Sequence, residues 1–189
     1  KEKNIKFLKN GAVVGTSSIR RQVQLKEMRP DLIIKQIRGN LHTRISKLKD
    51  QKYDAIVLAV AGLKRLKIRE NYKKINTNTI IPAPGQGVIA LVIKKDKYLN
   101  EIMNKINDEN TFIESDCERR FLAALDGSCK TPIGALAKIT KRNEKRLVFF
   151  RYMASSMDGK NFVKSHTFFK IDNYKNMSFN LGKKIKNLI

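Results

Sequence analysis

Between Gly11 and Val60 the chain repeats one pattern, a short apolar run followed by a polar turn and an amphipathic stretch, and few folds accept that pattern. Gly11 to Val14 is apolar and Gly15-Thr16-Ser17-Ser18 is a turn. Ile19, Val23, Leu25 and Met28 then recur at helical spacing up to the break at Pro30-Asp31. Leu32 to Ile37 repeats the apolar run, and Asn40 is placed to cap a helix carrying Leu41, Ile45 and Leu48. Tyr53 to Val60 is apolar almost throughout, as in a strand buried on both faces of a parallel sheet. Alternating strand and helix predicts an α/β region.

The remainder reads differently. Lys1 to Asn10 is basic and suits an edge strand or a ragged lead-in, and Lys67 to Thr79 is an irregular connection. Pro82-Ala83-Pro84-Gly85-Gln86-Gly87 is a turn, and Val88 to Ile93 is a further apolar strand. Tyr98 to Asn107 predicts a helix with Ile102, Met103 and Ile106 on its apolar side. Ser115 and Glu118 fit a capping box opening a helix with Cys117, Phe121, Leu122 and Leu125 inward. Asp126-Gly127 would end it, because glycine tolerates the left-handed backbone after a helix. Lys130 to Ile139, Arg146 to Ala154 and Asn161 to Lys170 predict a small antiparallel sheet, with Lys141 to Lys145 a polar turn and Asp158-Gly159 a hairpin signal. Asn173 to Ile189 closes the chain as a helix with Met177, Leu181, Ile185 and Leu188 at helical spacing. The expected organisation is an α/β domain over 1–78, a strand segment over 79–95 and an α+β domain over 96–189.

Chemistry enters through charge and its placement. With 189 residues and 41% hydrophobic content the chain can bury a core, while Lys+Arg 40 against Asp+Glu 17 gives +23. Such a field attracts nucleic acid, an acidic membrane surface or a polycarboxylate. No apolar run reaches the roughly 20 residues of a membrane-spanning helix, so the chain is expected to be soluble. Two cysteines do not suggest a disulfide framework, which fits a reducing compartment.

In open parallel sheets ligands bind beyond the carboxyl ends of strands, where helix N-termini offer free N–H groups. Arg20, Arg21, Arg38, Arg44, Lys64 and Arg65 follow the predicted strands, and Thr16, Ser17 and Ser18 add hydroxyls beside the first two. That is a site for carboxylate or phosphate. Lys64 reads as an ordinary surface charge. Gly85-Gln86-Gly87 could cradle an anion, but without the lysine and serine of a phosphate loop it reads as a turn. Cys129, on a loop beside Lys130, is better placed for covalent chemistry than Cys117, which reads as core. Taken alone, the thiol and its lysine favour an inert loop residue. Aromatics are 7% with no tryptophan, and neither a nucleic-acid motif nor a basic-aromatic platform is visible.

ERRFLAALDGSCKTPIGALA, residues 118–137, closely resembles the cofactor-attachment segment of the porphobilinogen deaminase (hydroxymethylbilane synthase) family. VGTSSIRRQVQL, IRGNLHTRISKL, YDAIVLAVAGLKRL and PAPGQGVIAL match other segments of that family in the same order. One departure is Gly127-Ser128-Cys129, where the family usually has Gly-Gly-Cys. The resemblance implies a periplasmic-binding-protein-like parallel-sheet domain followed by a small α+β domain with a three-stranded antiparallel sheet. It implies a transferase of haem and tetrapyrrole biosynthesis that joins four porphobilinogen units into hydroxymethylbilane, releasing ammonia. In the complete enzyme a dipyrromethane cofactor would be attached to Cys129 by a thioether, with Ser18, Arg20, Arg21, Arg38 and Arg44 on its carboxylates. Arg20, Arg21, Arg38, Arg44 and Arg65 would bind substrate carboxylates.

The family's acid–base aspartate and partner lysine have no matching motif in this chain, so the catalytic residues are unassigned, and no metal ligands are identified. The resemblance implies a C-terminal portion lacking most of an N-terminal domain, inactive alone, with the 79–95 strand returning toward that missing domain. Its partners would be porphobilinogen and linear pyrrole intermediates, with no nucleic acid and no membrane. It would be a monomer of the cytoplasm or of a plastid or other organelle stroma. The alternatives are a basic nucleic-acid-binding module and a non-catalytic anion receptor of periplasmic type, the latter leaving Cys129 without a role.

Overall fold

The computed structural model describes residues 5–127 and 131–189, and the chain divides into two compact units, 1–80 and 81–189. In the first unit β1 (Val13–Gly15) lies between β2 (Ile33–Lys35) and β3 (Ala55–Ile56), both parallel to it. Helices α1 (Ile19–Met28), α2 (Leu41–Lys49) and α3 (Val60–Arg65) follow the three strands in turn. Ala12, Val14, Leu25 and Leu32 form the buried core, with Met28, Ile34 and Val57 packed against it. Gly15 lets β3 approach, since a Cβ there would sit 3.0 Å from Ile56 and Tyr53 side-chain atoms.

Two expectations for this unit are corrected. The first described segment contains a 3-10 turn at Ile5–Phe7 rather than an edge strand. Arg29 explains why: it donates to the carbonyls of Ile5 and Leu8 at 3.1 Å while pairing with Asp31 at 2.6 Å, so these carbonyls need no ladder. The run Tyr53–Val60 yields only a two-residue, half-buried strand, because from Leu58 onward its apolar side chains lead into and start α3.

The second unit carries α4 (Lys97–Ile106), α5 (Glu109–Ala124) and an antiparallel sheet of β4 (Ile133–Arg142), β5 (Lys145–Ser155) and β6 (Phe162–Lys170), closed by α6 (Tyr174–Lys186). The family-level expectation of an α/β domain followed by an α+β domain holds. The β4–β5 ladder runs to Arg142↔Lys145, so the polar turn is only Asn143-Glu144, both with positive φ (48° and 59°), as a tight hairpin requires. Phe121 meets Phe150 and Tyr152 at ring-centroid distances of 5.3 and 5.4 Å. Each such buried ring contributes roughly 1.5–3 kcal/mol.

The closing helix is present, but its buried stripe is Tyr174, Ser178, Gly182 and Ile185, while Met177 and Leu188 are exposed. Small residues bring α6 against α5, where a Cβ on Gly182 would fall 2.6 Å from Ala124 Cβ and 2.8 Å from Phe121 O. Apolar periodicity cannot see a contact made by serine and glycine. Val88 to Ile93 pairs with no strand among the described residues, and Ile89, Leu91 and Val92 are 86%, 63% and 95% exposed. Local composition sets a strand's preference, but a ladder also needs a neighbour.

Candidate functional site

Ser18 caps α1, its Oγ accepting from Arg21 N at 3.4 Å, and its own N–H donates to Thr16 Oγ1 at 3.2 Å. Ser17 Oγ donates to Ile37 O at 2.5 Å, tying the turn after β1 to the turn after β2. Arg21 Nη1 donates to Val57 O at 3.1 Å, just past β3. Arg44 Nε donates to Gly39 O at 2.8 Å in the loop before α2. The loops at the carboxyl ends of the three strands are thus joined by Ser17 and Arg21. With strand order β2-β1-β3, Arg21 spans the β1/β3 side, where the chain changes direction across the sheet and open α/β folds place ligands.

The electrostatics of this end are unfavourable in isolation. Arg20 is 9% exposed, and burial, with Arg21's charge next, lowers its guanidinium to about 10. Arg21 is lowered for the same first reason and then by Arg44. Among the described residues the ion pairs of this unit are Lys9–Asp54, Arg29–Asp31 and Lys49–Glu70, so Arg21 and Arg44 meet only neutral carbonyls. Partly desolvated like charges beside the positive end of a ten-residue helix are relieved by an anion. Ser18, Arg20, Arg21 and Arg44 are brought together here. Arg38 is exposed on the loop after β2. Lys64 and Arg65 do not follow β3 directly, as expected, because α3 intervenes. They stand on its last turn, where cations complement the helix carbonyl end.

In the second unit Cys129, with Ser128 and Lys130, lies outside the described residues. The segment before it departs from expectation: Asp126 takes the left-handed backbone at φ 50°. Gly127 has a different reason, since a Cβ there would overlap the Leu122 side chain and lie 2.6 Å from Ile133 Cδ1. Lys186 pairs with Asp126. Cys117 is core as expected, fully buried, its thiol pushed up to about 12 by burial, and hence unreactive.

Glu118 is the residue that a local reading of the sequence misassigns. α5 begins at Glu109, where Asp108 caps it by accepting from Thr111 N at 2.7 Å. Ser115 is therefore mid-helix, donating to Phe112 O at 3.1 Å, and no capping box forms. Glu118 instead accepts from Gly85 N at 2.6 Å with Oε2 and from Ala137 N at 2.8 Å with Oε1. One turn earlier, Glu114 accepts from Ile139 N at 2.8 Å and pairs with Lys138 at 2.6 Å, and Ala135 N donates to Pro82 O at 3.1 Å. Four helical residues rise about 6 Å and two strand residues nearly 7 Å, so carboxylates four apart on α5 meet alternate amides of edge strand β4. Burial pushes Glu118 up to about 7 against the pull of its two amide donors. The signal for this was present in sequence: Glu114 and Glu118 share a helix face with Phe121.

The glycine-rich turn gives one amide, that of Gly85, to the chain's own Glu118 carboxyl group. The turn has positive φ at Gly85 and Gly87 (70° and 90°), as the sequence-level reading of a turn requires.

Residues 1–101 match the family model described as porphobilinogen deaminase, dipyromethane cofactor binding domain, and residues 112–189 match the porphobilinogen deaminase C-terminal domain. The chain is 42% identical over 166 residues to the porphobilinogen deaminase of a Nitratiruptor species, covering 86% of this chain and 52% of that protein. Porphobilinogen deaminase of Aliarcobacter butzleri is 37% identical over 182 residues, 95% of this chain and 57% of that protein. A probable porphobilinogen deaminase of Thermoplasma volcanium is 44% identical over 147 residues, 78% and 50% of the respective chains. The chain spans about half the length of the curated relatives it matches. The strand-end arginine cluster falls inside the cofactor-binding match and the Cys129 segment inside the C-terminal match, and on both matches the chain belongs to the porphobilinogen deaminase family.

Proposed function

We propose that this chain supplies the carboxylate-recognising and cofactor-bearing part of a porphobilinogen deaminase, a transferase that joins porphobilinogen units into hydroxymethylbilane with release of ammonia. The observation that carries this is the cluster of Ser18, Arg20, Arg21 and Arg44 at the carboxyl end of the parallel sheet, where burial and neighbouring like charge, Arg21 beside Arg20 and Arg44 beside Arg21, lower the guanidinium groups and an anion would favour them. The donor set fits a dipyrromethane, whose acetate and propionate groups suit planar guanidinium forks. When bound, that group supplies the terminal pyrrole to which units are added. Arg20, Arg21, Arg38 and Arg44 bind and orient the carboxylates, Ser18 adds a hydroxyl at the helix start, and Arg65 meets later units. Cys129 carries the thioether.

Turnover needs groups beyond these 189 residues, because no motif for the family's acid–base aspartate and lysine occurs here. The exposed apolar run 88–93 suits pairing with a strand outside these residues, the returning strand of a 79–95 segment between domains 1–78 and 96–189. The reading predicts a monomer.

Intact mass of the purified chain, with Ehrlich's reagent on the same sample, tests it. A pyrrolic adduct that Cys129→Ser abolishes is expected. Retention of the adduct by Cys129→Ser, or porphobilinogen turnover by the 189-residue chain alone, would contradict the corresponding part.

A further inference from the structure

The inner face of the antiparallel sheet is covered: Ala135, Ala137, Val148, Phe150, Tyr152, Ala154 and Phe169 all lie in the core. The alternate residues point the other way; at one end Met153 and Gly134 are themselves buried against Ile81 and Pro82, and the stretch around Phe168 is exposed. Their register sets Phe149 opposite Phe168 and Arg151 opposite His166 on the neighbouring strand. Phe149 and Phe168 stand 4.9 Å apart between ring centroids, tilted by 33°, and His166 meets Phe149 at 5.5 Å. Arg142 lies over the Phe168 ring at 5.7 Å and Arg151 over Phe149 at 5.6 Å. Phe168 is 41% exposed, and His166 and Lys164 are exposed beside it. The three strands contain no aspartate or glutamate. Arg142, Lys145, Lys164 and Lys170 share the outer-face parity with the two rings.

From this juxtaposition we infer that the outer face of the β4-β5-β6 sheet binds single-stranded nucleic acid, independently of the strand-end arginine site. A single strand alternates phosphates with planar bases. This face offers the complement, neighbouring rings on adjacent strands for successive bases and surrounding cations for phosphates. The Arg142 guanidinium, exposed and resting on the Phe168 ring, can stack on a base or turn to a phosphate. A duplex hides its base faces and would use only the cations. A lipid surface would use the apolar side chains without needing their ring faces. The +23 charge of the chain supplies the long-range attraction for either, and the paired rings select the single strand.

The test is fluorescence polarisation of a labelled mixed-sequence RNA of about 12 nucleotides with the full chain at about 0.1 M salt, alongside the same RNA as a duplex and anionic phosphatidylserine vesicles. Single-strand binding tighter than duplex binding is expected. Phe168→Ala should weaken it about tenfold and Phe168→Trp should restore it. Arg142→Ala should weaken binding and reduce the salt slope by about one, whereas Lys52→Ala, an equal charge change in the other unit, should leave both unaltered. Circular dichroism and the thermal midpoint check that each variant folds. Equal affinity for duplex and single strand, insensitivity to Phe168→Ala in a folded variant, or equal losses from Lys52→Ala and Arg142→Ala would each overturn the inference. Vesicle binding that depends on Phe168 without RNA binding would assign the face to lipid instead.

Discussion

In residues 81–189 a carboxylate of the chain itself, Glu118, occupies the amides of Gly85 and Ala137, whereas in residues 1–80 the guanidinium groups of Arg21 and Arg44 reach only neutral carbonyls. The first arrangement is a pair of amides filled from within by a carboxyl group, and it serves architecture by joining a turn and an edge strand to α5. The second leaves its charge unneutralised by these partners, and the cost of that is what an incoming carboxylate relieves. A glycine-rich turn and a strand-end cluster of arginines look equally like anion sites in sequence. What separates them is whether the fold has already supplied the acceptor.

Breaking the filled site should have the larger effect on stability. Glu118→Leu removes the acceptors of the buried Ala137 amide and the half-buried Gly85 amide and should cost roughly 2–5 kcal/mol in denaturant unfolding, with Glu118→Gln, which keeps an accepting oxygen, losing less. A loss no larger than that of an ordinary surface substitution would show that the amides find other acceptors.

The pH dependence comes next. In the folded chain Glu118 lies near 7 rather than 4.5, so the folded state holds a proton that the unfolded state releases in between. That contribution is fully present below about pH 4.5 and is lost as pH rises through about 7. Thermal midpoints over that window should fall with rising pH more steeply for the wild type than for Glu118→Gln. Parallel curves would reject the assignment.

At the open site the order of effects reverses. Arg21→Ala should reduce affinity for a dipyrromethane or porphobilinogen carboxylate roughly 10- to 100-fold by calorimetry, while leaving the thermal midpoint unchanged or slightly raised because a desolvated like charge is gone. A large drop in stability would mean that the Val57 contact, rather than an anion, is what Arg21 is for. The smallest effect belongs to Ser18→Ala, which removes the α1 cap and should cost about 1 kcal/mol with a minor loss of anion affinity.

The elements are legible in sequence to the extent that their causes are local. Asn40 as a cap, the helices after the first two parallel strands, the three antiparallel strands and the core position of Cys117 all follow from neighbours in the chain. The same holds for the arginines after the first two strands, since a strand–turn–helix unit places them at one end of a sheet whatever the rest of the molecule does. Glu118 defeats a local reading because its partners, Gly85 and Ala137, lie far from it in sequence while a capping motif is the nearer explanation. Beside Ile185, which both readings share, the α6 stripe takes Ser178 and Gly182 rather than Met177 because close helix packing selects them for what they lack.

The sequence by itself therefore determined the order of elements, the family through five ordered motifs, and which end of the parallel sheet is cationic. Only the tertiary structure decided which amides are already satisfied from within, and that Phe149, Phe168, Arg142 and Arg151 meet on one face of the sheet. The physical reason is the same in each case: hydrogen-bond satisfaction and ring contact depend on strand register and helix approach, which no local spacing contains.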